Sequence, residues 1–286
     1  MEARALDAPE RKESMKFNQP IVRSILSAML FAGGGMFLAG MAAGAQRATG
    51  DVEFFVVQSR PSDVAFDGAN VWVTNEGSST VSKLRASDGA NLGTFLVGFD
   101  PLTVLCEGGN VWVANQGKTV TKLRGSDGTT LGAYATGDGS VGLAFDGKNI
   151  WATNAFDDTV TVLRASDGTM LRSVTVSGDP EGIVFDGTSL WVSTFYEGTV
   201  SKIRIADGAI LATVTLGSLP EGMVSDGQHL WVSLADARRV ATLRLKDAVP
   251  DRAVKVGPGP VAVAFDGSSI WVANNGSNTV CKITPP

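Results

Sequence analysis

Apolar and polar residues alternate along the chain in short runs, cut at regular intervals by turn residues. Around Trp72 the order is Asp63-Val64-Ala65-Phe66, then Asp67-Gly68-Ala69-Asn70, then Val71-Trp72-Val73. Asp-Gly between two β-rich runs marks a hairpin, because glycine accepts the positive φ that a tight turn needs. A second hairpin follows, in which Val81 to Arg85 leads through Ser87-Asp88-Gly89 into Leu92 to Val97. Each unit thus holds four short strands. The 3.6-residue periodicity of a helix is missing, which excludes a helical repeat.

The unit is written six times. Trp72, Trp112, Trp151, Trp191, Trp231 and Trp271 are spaced 40, 39, 40, 40 and 40 residues apart. Pro61, Pro101, Ser140, Pro180, Pro220 and Pro260 keep the same spacing. Four strands in a repeat of this length make one propeller blade. The proline precedes the first strand, where its missing N–H costs no ladder bond. The tryptophan lies in the second strand, where its ring is expected between blades and its indole N–H needs an acceptor. The last copy stops after Thr279 to Ile283 without a fourth strand, and Val52-Glu53-Phe54-Phe55-Val56-Val57 precedes Pro61 just as Thr94 to Val97 precedes Pro101. The pattern therefore predicts an all-β, six-bladed β-propeller of four-stranded blades. Its ring is closed by the N-terminal strand, which completes the last blade.

The chain of 286 residues divides in two. Residues 1–45 read as a signal peptide: Arg11, Lys12, Lys16 and Arg23 precede an apolar run from Ile25 to Met41, and Ala43-Gly44-Ala45 gives a small-x-small cleavage pattern. A translation start at Met15 shortens the long basic region to the usual size, and a retained anchor is the alternative reading. Residues 46–286 form the propeller, which is expected as a monomer in the periplasm or outside the cell. The formal charge of −5, with no basic stripe, argues against nucleic acid as a partner.

Conventional catalytic sets are missing. His229 is the single histidine and falls in a first-hairpin turn, so no Ser-His-Asp set or histidine metal site can be built. Cys106 and Cys281 occupy repeat positions on the first strand of blade 2 and the third strand of blade 6, too far apart for a disulfide. Two buried free thiols are expected. Arg85, Arg124, Arg164, Arg204 and Arg244 recur after the third strand, and local pairing with turn aspartates is expected for them. Asn75, Asn115, Asn154 and Asn274 end the second strand, where a loop-closing bond to backbone is expected.

Residues that break the repeat are better site candidates than residues that follow it. At the position after the proline stand Ser62, Leu102, Val141, Glu181, Glu221 and Val261, so only blades 4 and 5 carry a carboxylate, side by side. The loops joining the second and third strands hold Phe156-Asp157-Asp158 in blade 3, Phe195-Tyr196-Glu197 in blade 4 and Asp236-Ala237-Arg238-Arg239 in blade 5. Blades 1, 2 and 6 carry blander loops such as Asn275-Gly276-Ser277-Asn278. These loops and the entry loops open on one face. The expected site is a binding face on blades 3 to 5 that engages a protein or another extracellular ligand, with no catalytic residue and no cofactor assigned. The two glutamates leave open a calcium or magnesium site at the channel mouth.

The units Val64-Ala65-Phe66-Asp67-Gly68 with Val71-Trp72-Val73-Thr74-Asn75, and Ile150-Trp151-Ala152-Thr153-Asn154, resemble the YVTN/NHL-type propeller repeats of bacterial exported proteins. They are also similar to the streptogramin (virginiamycin B) lyase-like superfamily. That second resemblance implies a magnesium-dependent eliminase with a histidine on the channel face, and this sequence departs from it because His229 lies on a first-hairpin turn. Lactonase-like propellers imply a metal held by Glu, Asn and Asp near the axis, a set that Glu181 or Glu221 with Asn154 would imitate. The alternative function is thus a divalent-metal-dependent lyase or a lactonase-like hydrolase. WD40 marks are lacking, since neither a Gly-His nor a Trp-Asp pair occurs.

Overall fold

The computed structural model describes residues 54–277 and 279–285. The signal-peptide segment, the Met15 start and Val52-Glu53 lie outside the described residues. Six antiparallel sheets follow one another along the chain as the blades of a β-propeller. Blade 1 is made of Pro61–Phe66, Asn70–Asn75, Thr80–Arg85 and Asn91–Leu96. Blades 2, 3, 4 and 5 repeat this order from Pro101–Glu107, Ser140–Phe145, Pro180–Phe185 and Pro220–Ser225. Blade 6 has three strands, Pro260–Phe265, Ile270–Asn274 and Thr279–Ile283. Closure of the ring by the N-terminal strand is not shown among the described residues: Phe54 to Val57 adopts no strand pairing there, and Thr279–Ile283 is the last strand of its sheet.

First strands of successive blades touch one another, which makes them the inner strands around the axis. Three of them approach closely enough to need glycine. A Cβ on Gly142 would meet the carbonyl oxygen of Glu181 at 2.4 Å, and one on Gly182 would meet that of Glu221 at 2.6 Å. In blade 1 the same position holds Asp63, which is buried and accepts the Val104 N–H of blade 2 at 2.9 Å. Hydroxyls brace the same layer. Thr153 donates to the Glu181 carbonyl at 2.9 Å, and Ser193 to the Glu221 carbonyl at 3.4 Å.

The tryptophans act as expected and find their acceptor close by. In five blades the indole N–H donates at 2.7 Å to the aspartate of the first hairpin turn, namely Asp67, Asp146, Asp186, Asp226 and Asp266. The same carboxylates accept the backbone N–H groups of the turn, as Asp186 does from Thr188 and Ser189. The turn and the blade core are therefore tied by one side chain. In blade 2 Glu107 stands in that slot, and among the described residues it makes no such bond.

Five apolar clusters lie between successive blades, each joining the tryptophan of one blade to the first three strands of the next. Trp72, Trp112, Trp151, Trp191 and Trp231 are fully buried in them. Among the described residues no sixth cluster joins blade 6 to blade 1, and Trp271 is 40% exposed.

A cation covers every tryptophan. Lys83, Lys122, Lys202 and Lys282 come from the third strand, whereas Arg172 and Arg252 come from the fourth, all 4.9 to 5.2 Å from the ring centroid. Lys83 also donates to the carbonyls of Gly125 and Ser126 in the next blade, at 2.7 and 3.0 Å. Lys122 does the same to Ala165 and Ser166, and Arg172 to Ile205 and Ala206. Lys202 donates to the Leu245 carbonyl as well, so four of the six cations latch their blade to the following one.

Candidate functional site

The entry loops and the loops between second and third strands are zipped together on one face in all six blades. Glu76, Gln116, Ala155, Phe195, Ala235 and Asn275 each donate a backbone N–H to an entry-loop carbonyl, at 2.8 to 3.1 Å. The first-hairpin turns and the Arg–Asp turns lie at the other end of the strands. Arg85–Asp88, Arg124–Asp127, Arg164–Asp167, Arg204–Asp207 and Arg244–Asp247 all pair locally there. His229 is at that end too, half-buried, with its ring nitrogens 3.6 Å from Asp226 and 3.8 Å from Asp251.

On the loop face three successive blades present aromatic rings to solvent. Phe156 of blade 3 is 62% exposed and Tyr196 of blade 4 is 70% exposed. Tyr196 is held edge-on against Phe195, with centroids 5.3 Å apart. The third ring is one that the sequence pattern passed over: Phe99, in the entry loop of blade 2, is 67% exposed and rests on Gly117. Phe156 in turn lies against the entry-loop Gly139. These glycines leave room for Phe99 and Phe156 against the loops beside them.

The acidic candidates are mostly occupied in holding the loops. Asp157 accepts the Asp138 N–H at 2.7 Å, and Asp158 accepts the Asp179 N–H at 2.8 Å. Asp158 adopts φ of 54°, a left-handed turn position. Asp236 accepts the Ser218 hydroxyl and the Leu219 N–H, which together hold its carboxyl below the usual aspartate range. Glu197 lies over Gly178 of its own entry loop. Arg238, also at positive φ, and Arg239 remain exposed on the neighbouring blade 5.

Glu181 is buried and Glu221 half-buried, in the same slot of neighbouring inner strands. The corresponding positions of blades 2 and 3, Leu102 and Val141, form an apolar cluster with Ala155. The inner layer is therefore apolar on blades 2 and 3 and acidic on blades 4 and 5. Among the described residues, no three His, Cys, Asp or Glu side chains are grouped as a metal site would require. The asparagines ending the second strands are buried and donate chiefly to third-strand hydroxyls, as Asn154 does to Thr159 and Thr161 at 3.0 and 2.9 Å. Cys106 and Cys281 are free and half-buried rather than fully buried, and burial pushes the Cys106 thiol up to about 12.

No family model matches the sequence, and no curated protein matches it. Solved structures do match the fold. A chain of the Kuenenia stuttgartiensis hydrazine synthase is similar at 17% identity, over 85% of this chain and 99% of that one, with a TM-score of 0.55. A chain of the mitotic checkpoint complex is similar at 12% identity, over 79% and 74%, with a TM-score of 0.71. The computationally designed Ika8 protein is similar at 15% identity, over 78% and 70%, with a TM-score of 0.66. At such identities the likeness carries the fold and nothing of the chemistry: the chain is a six-bladed β-propeller.

Proposed function

We infer that this protein is an exported, non-catalytic propeller scaffold that binds a protein or another extracellular ligand on its loop face. The observation that carries the reading is the arc of exposed rings, Phe99, Phe156 and Tyr196 with Phe195, on three successive blades of one face. Rigid aromatic side chains are the commonest anchors of binding energy at interfaces. Their loops are tied to the strands by backbone and carboxylate bonds, so the arc is pre-organised and loses little freedom on binding. Arg238 and Arg239 flank it on blade 5. The resemblance of the repeats to YVTN/NHL-type exported propellers, and the signal-like N-terminus, support an extracytoplasmic setting.

The double variant Phe195→Ala/Tyr196→Ala tests this reading. A discrete partner captured from envelope extract by the unaltered chain is expected to be lost, with the melting midpoint of the propeller unchanged. Undiminished capture contradicts it.

The adjacent placement of Glu181 and Glu221 favours a second reading, a divalent-metal-dependent lyase or lactonase-like hydrolase at the channel mouth. A metal that binds only the folded state raises the melting midpoint. A rise with Mg²⁺ or Ca²⁺ that disappears in Glu181→Gln supports this second reading, and an unchanged midpoint counts against it.

A further inference from the structure

We propose that the groove between blade 5 and the outer strand of blade 4, Ile210–Thr215, binds a small aliphatic acid. Its carboxylate is held between Arg239 and Lys255, and its chain lies along Ala241 and Ala253. The site is on the flank of the ring, apart from the aromatic arc of the loop face, and goes beyond the reading above.

In blades 1, 2 and 3 a polar clasp closes the matching place. The asparagine ending the second strand donates to two hydroxyls of the third, at 2.9 to 3.2 Å. The sets are Asn75 with Thr80 and Ser82, Asn115 with Thr119 and Thr121, and Asn154 with Thr159 and Thr161. Blade 5 replaces all three members, by Leu234, Arg239 and Ala241. The fourth strand follows. Ser201 and Thr213 of blade 4 face each other with their hydroxyls 3.0 Å apart, whereas the same positions of blade 5 are Ala241 and Ala253. Every other four-stranded blade keeps at least one hydroxyl in this row. The lost groups leave a groove of about 570 Å³, which Leu216 and Leu234 line beside the two alanines. Small-molecule sites have volumes of roughly 300–1,000 Å³. No aromatic ring lines this groove, so it suits an alkyl chain rather than a planar ligand.

The charge of the ligand follows from the next row of the sheet. Arg239 stands directly opposite Lys255. Residues so placed share one face of the sheet, and like charges there repel. The same positions of the other four-stranded blades hold Thr80 and Leu96, Thr119 and Ala135, Thr159 and Thr175, and Thr199 and Thr215, all uncharged. Arg239 and Lys255 are both exposed, and among the described residues neither has an ion pair. Asp251, the acid that lines the groove, lies 3.8 Å from His229. An anion between Arg239 and Lys255 relieves their repulsion, and a carboxylate accepts charge-assisted bonds from both.

Isothermal titration of the full chain with decanoate, decanol and decylammonium tests the proposal. Decanoate is expected to bind saturably at one site, decanol more weakly, and decylammonium not at all. The triple variant Leu234→Asn/Arg239→Thr/Ala241→Thr writes the clasp of blade 3 into blade 5. It is expected to keep the melting midpoint and to lose decanoate. Arg239→Gln is expected to weaken decanoate about tenfold and to leave decanol unchanged, and it decides the matter alone if the triple variant fails to fold. Three results overturn the proposal: no saturable binding of decanoate, equal binding of decylammonium, or decanoate binding undiminished in the folded triple variant or in Arg239→Gln.

Discussion

At the scale of single residues, one aspartate in five of the six blades does two jobs. Asp186 accepts the indole N–H of Trp191 and the N–H groups of Thr188 and Ser189, so it closes a turn and anchors a core ring together. Burial alone would raise its pKa; the Trp191 bond and the two backbone bonds outweigh that, and the net shift is downward. Asp67, Asp146 and Asp226 behave alike. A carboxyl whose folded pKa is depressed stabilises the fold fully above its unfolded pKa, about 3.9, and loses that contribution as pH falls through the lower folded value. The melting midpoint should therefore be level with respect to these groups from neutral pH to about 5, then fall below about 4. Asp186→Asn should lower stability by about 1–3 kcal/mol at neutral pH and flatten the acid limb, measured by denaturant titration across pH. An unchanged acid limb would contradict this role. The Asp-Gly turns were legible in the sequence; their bond to the indole five residues on was not. It depends on how the second strand folds back over the turn, and spacing alone does not show that.

At the scale of the element, strands three and four share the task of covering tryptophan. Where the third strand brings Lys83, Lys122 or Lys202, the residue facing it on the fourth is small: Gly93, Gly132 or Ala212. Where the third strand brings Val162 or Thr242, the facing residue is Arg172 or Arg252. The cation has changed strand while keeping its place over the ring and, for Arg172, its latch to the next blade. Arg172→Ala should cost about 1–2 kcal/mol from the lost ring contact and latch, and Val162→Lys added to it should restore most of the loss. Denaturant midpoints of the single and double variants check this. A double variant no more stable than Arg172→Ala would show that the two positions are not interchangeable. The exchange is written in the sequence, but it becomes visible only once the pairing register is known. Phe99 was hidden for a related reason. It stands beside Asp100 and Pro101 in what reads as a plain turn, and its exposure comes from resting on Gly117, in the loop that follows the second strand.

At the scale of the whole molecule, the repeat was the most legible feature. Six tryptophans at nearly constant spacing called for six blades, and six blades are present. The blade order, the two faces and the local Arg–Asp pairs also follow from the repeat. What differs from blade to blade was only partly readable. Asp157, Asp158 and Asp236 stand out by breaking the pattern, and the structure engages each in tying its loop to an entry loop. Phe156 and Tyr196 break the pattern in the same loops and are left facing solvent. Loop bonding takes up polar groups and leaves the rings, so composition alone could not separate the two kinds.

If the loop face is the working surface, its exposed rings meet the partner. The most direct measurement places a photo-crosslinking residue singly at Phe99, Phe156 and Tyr196, and at Lys148 and Ser166 on the opposite face, in cells making the full chain. Crosslinks to a common partner from the three aromatic positions, and none from the other two, are the predicted result. Equal crosslinking from both faces, or crosslinks confined to Lys148 and Ser166, would contradict it.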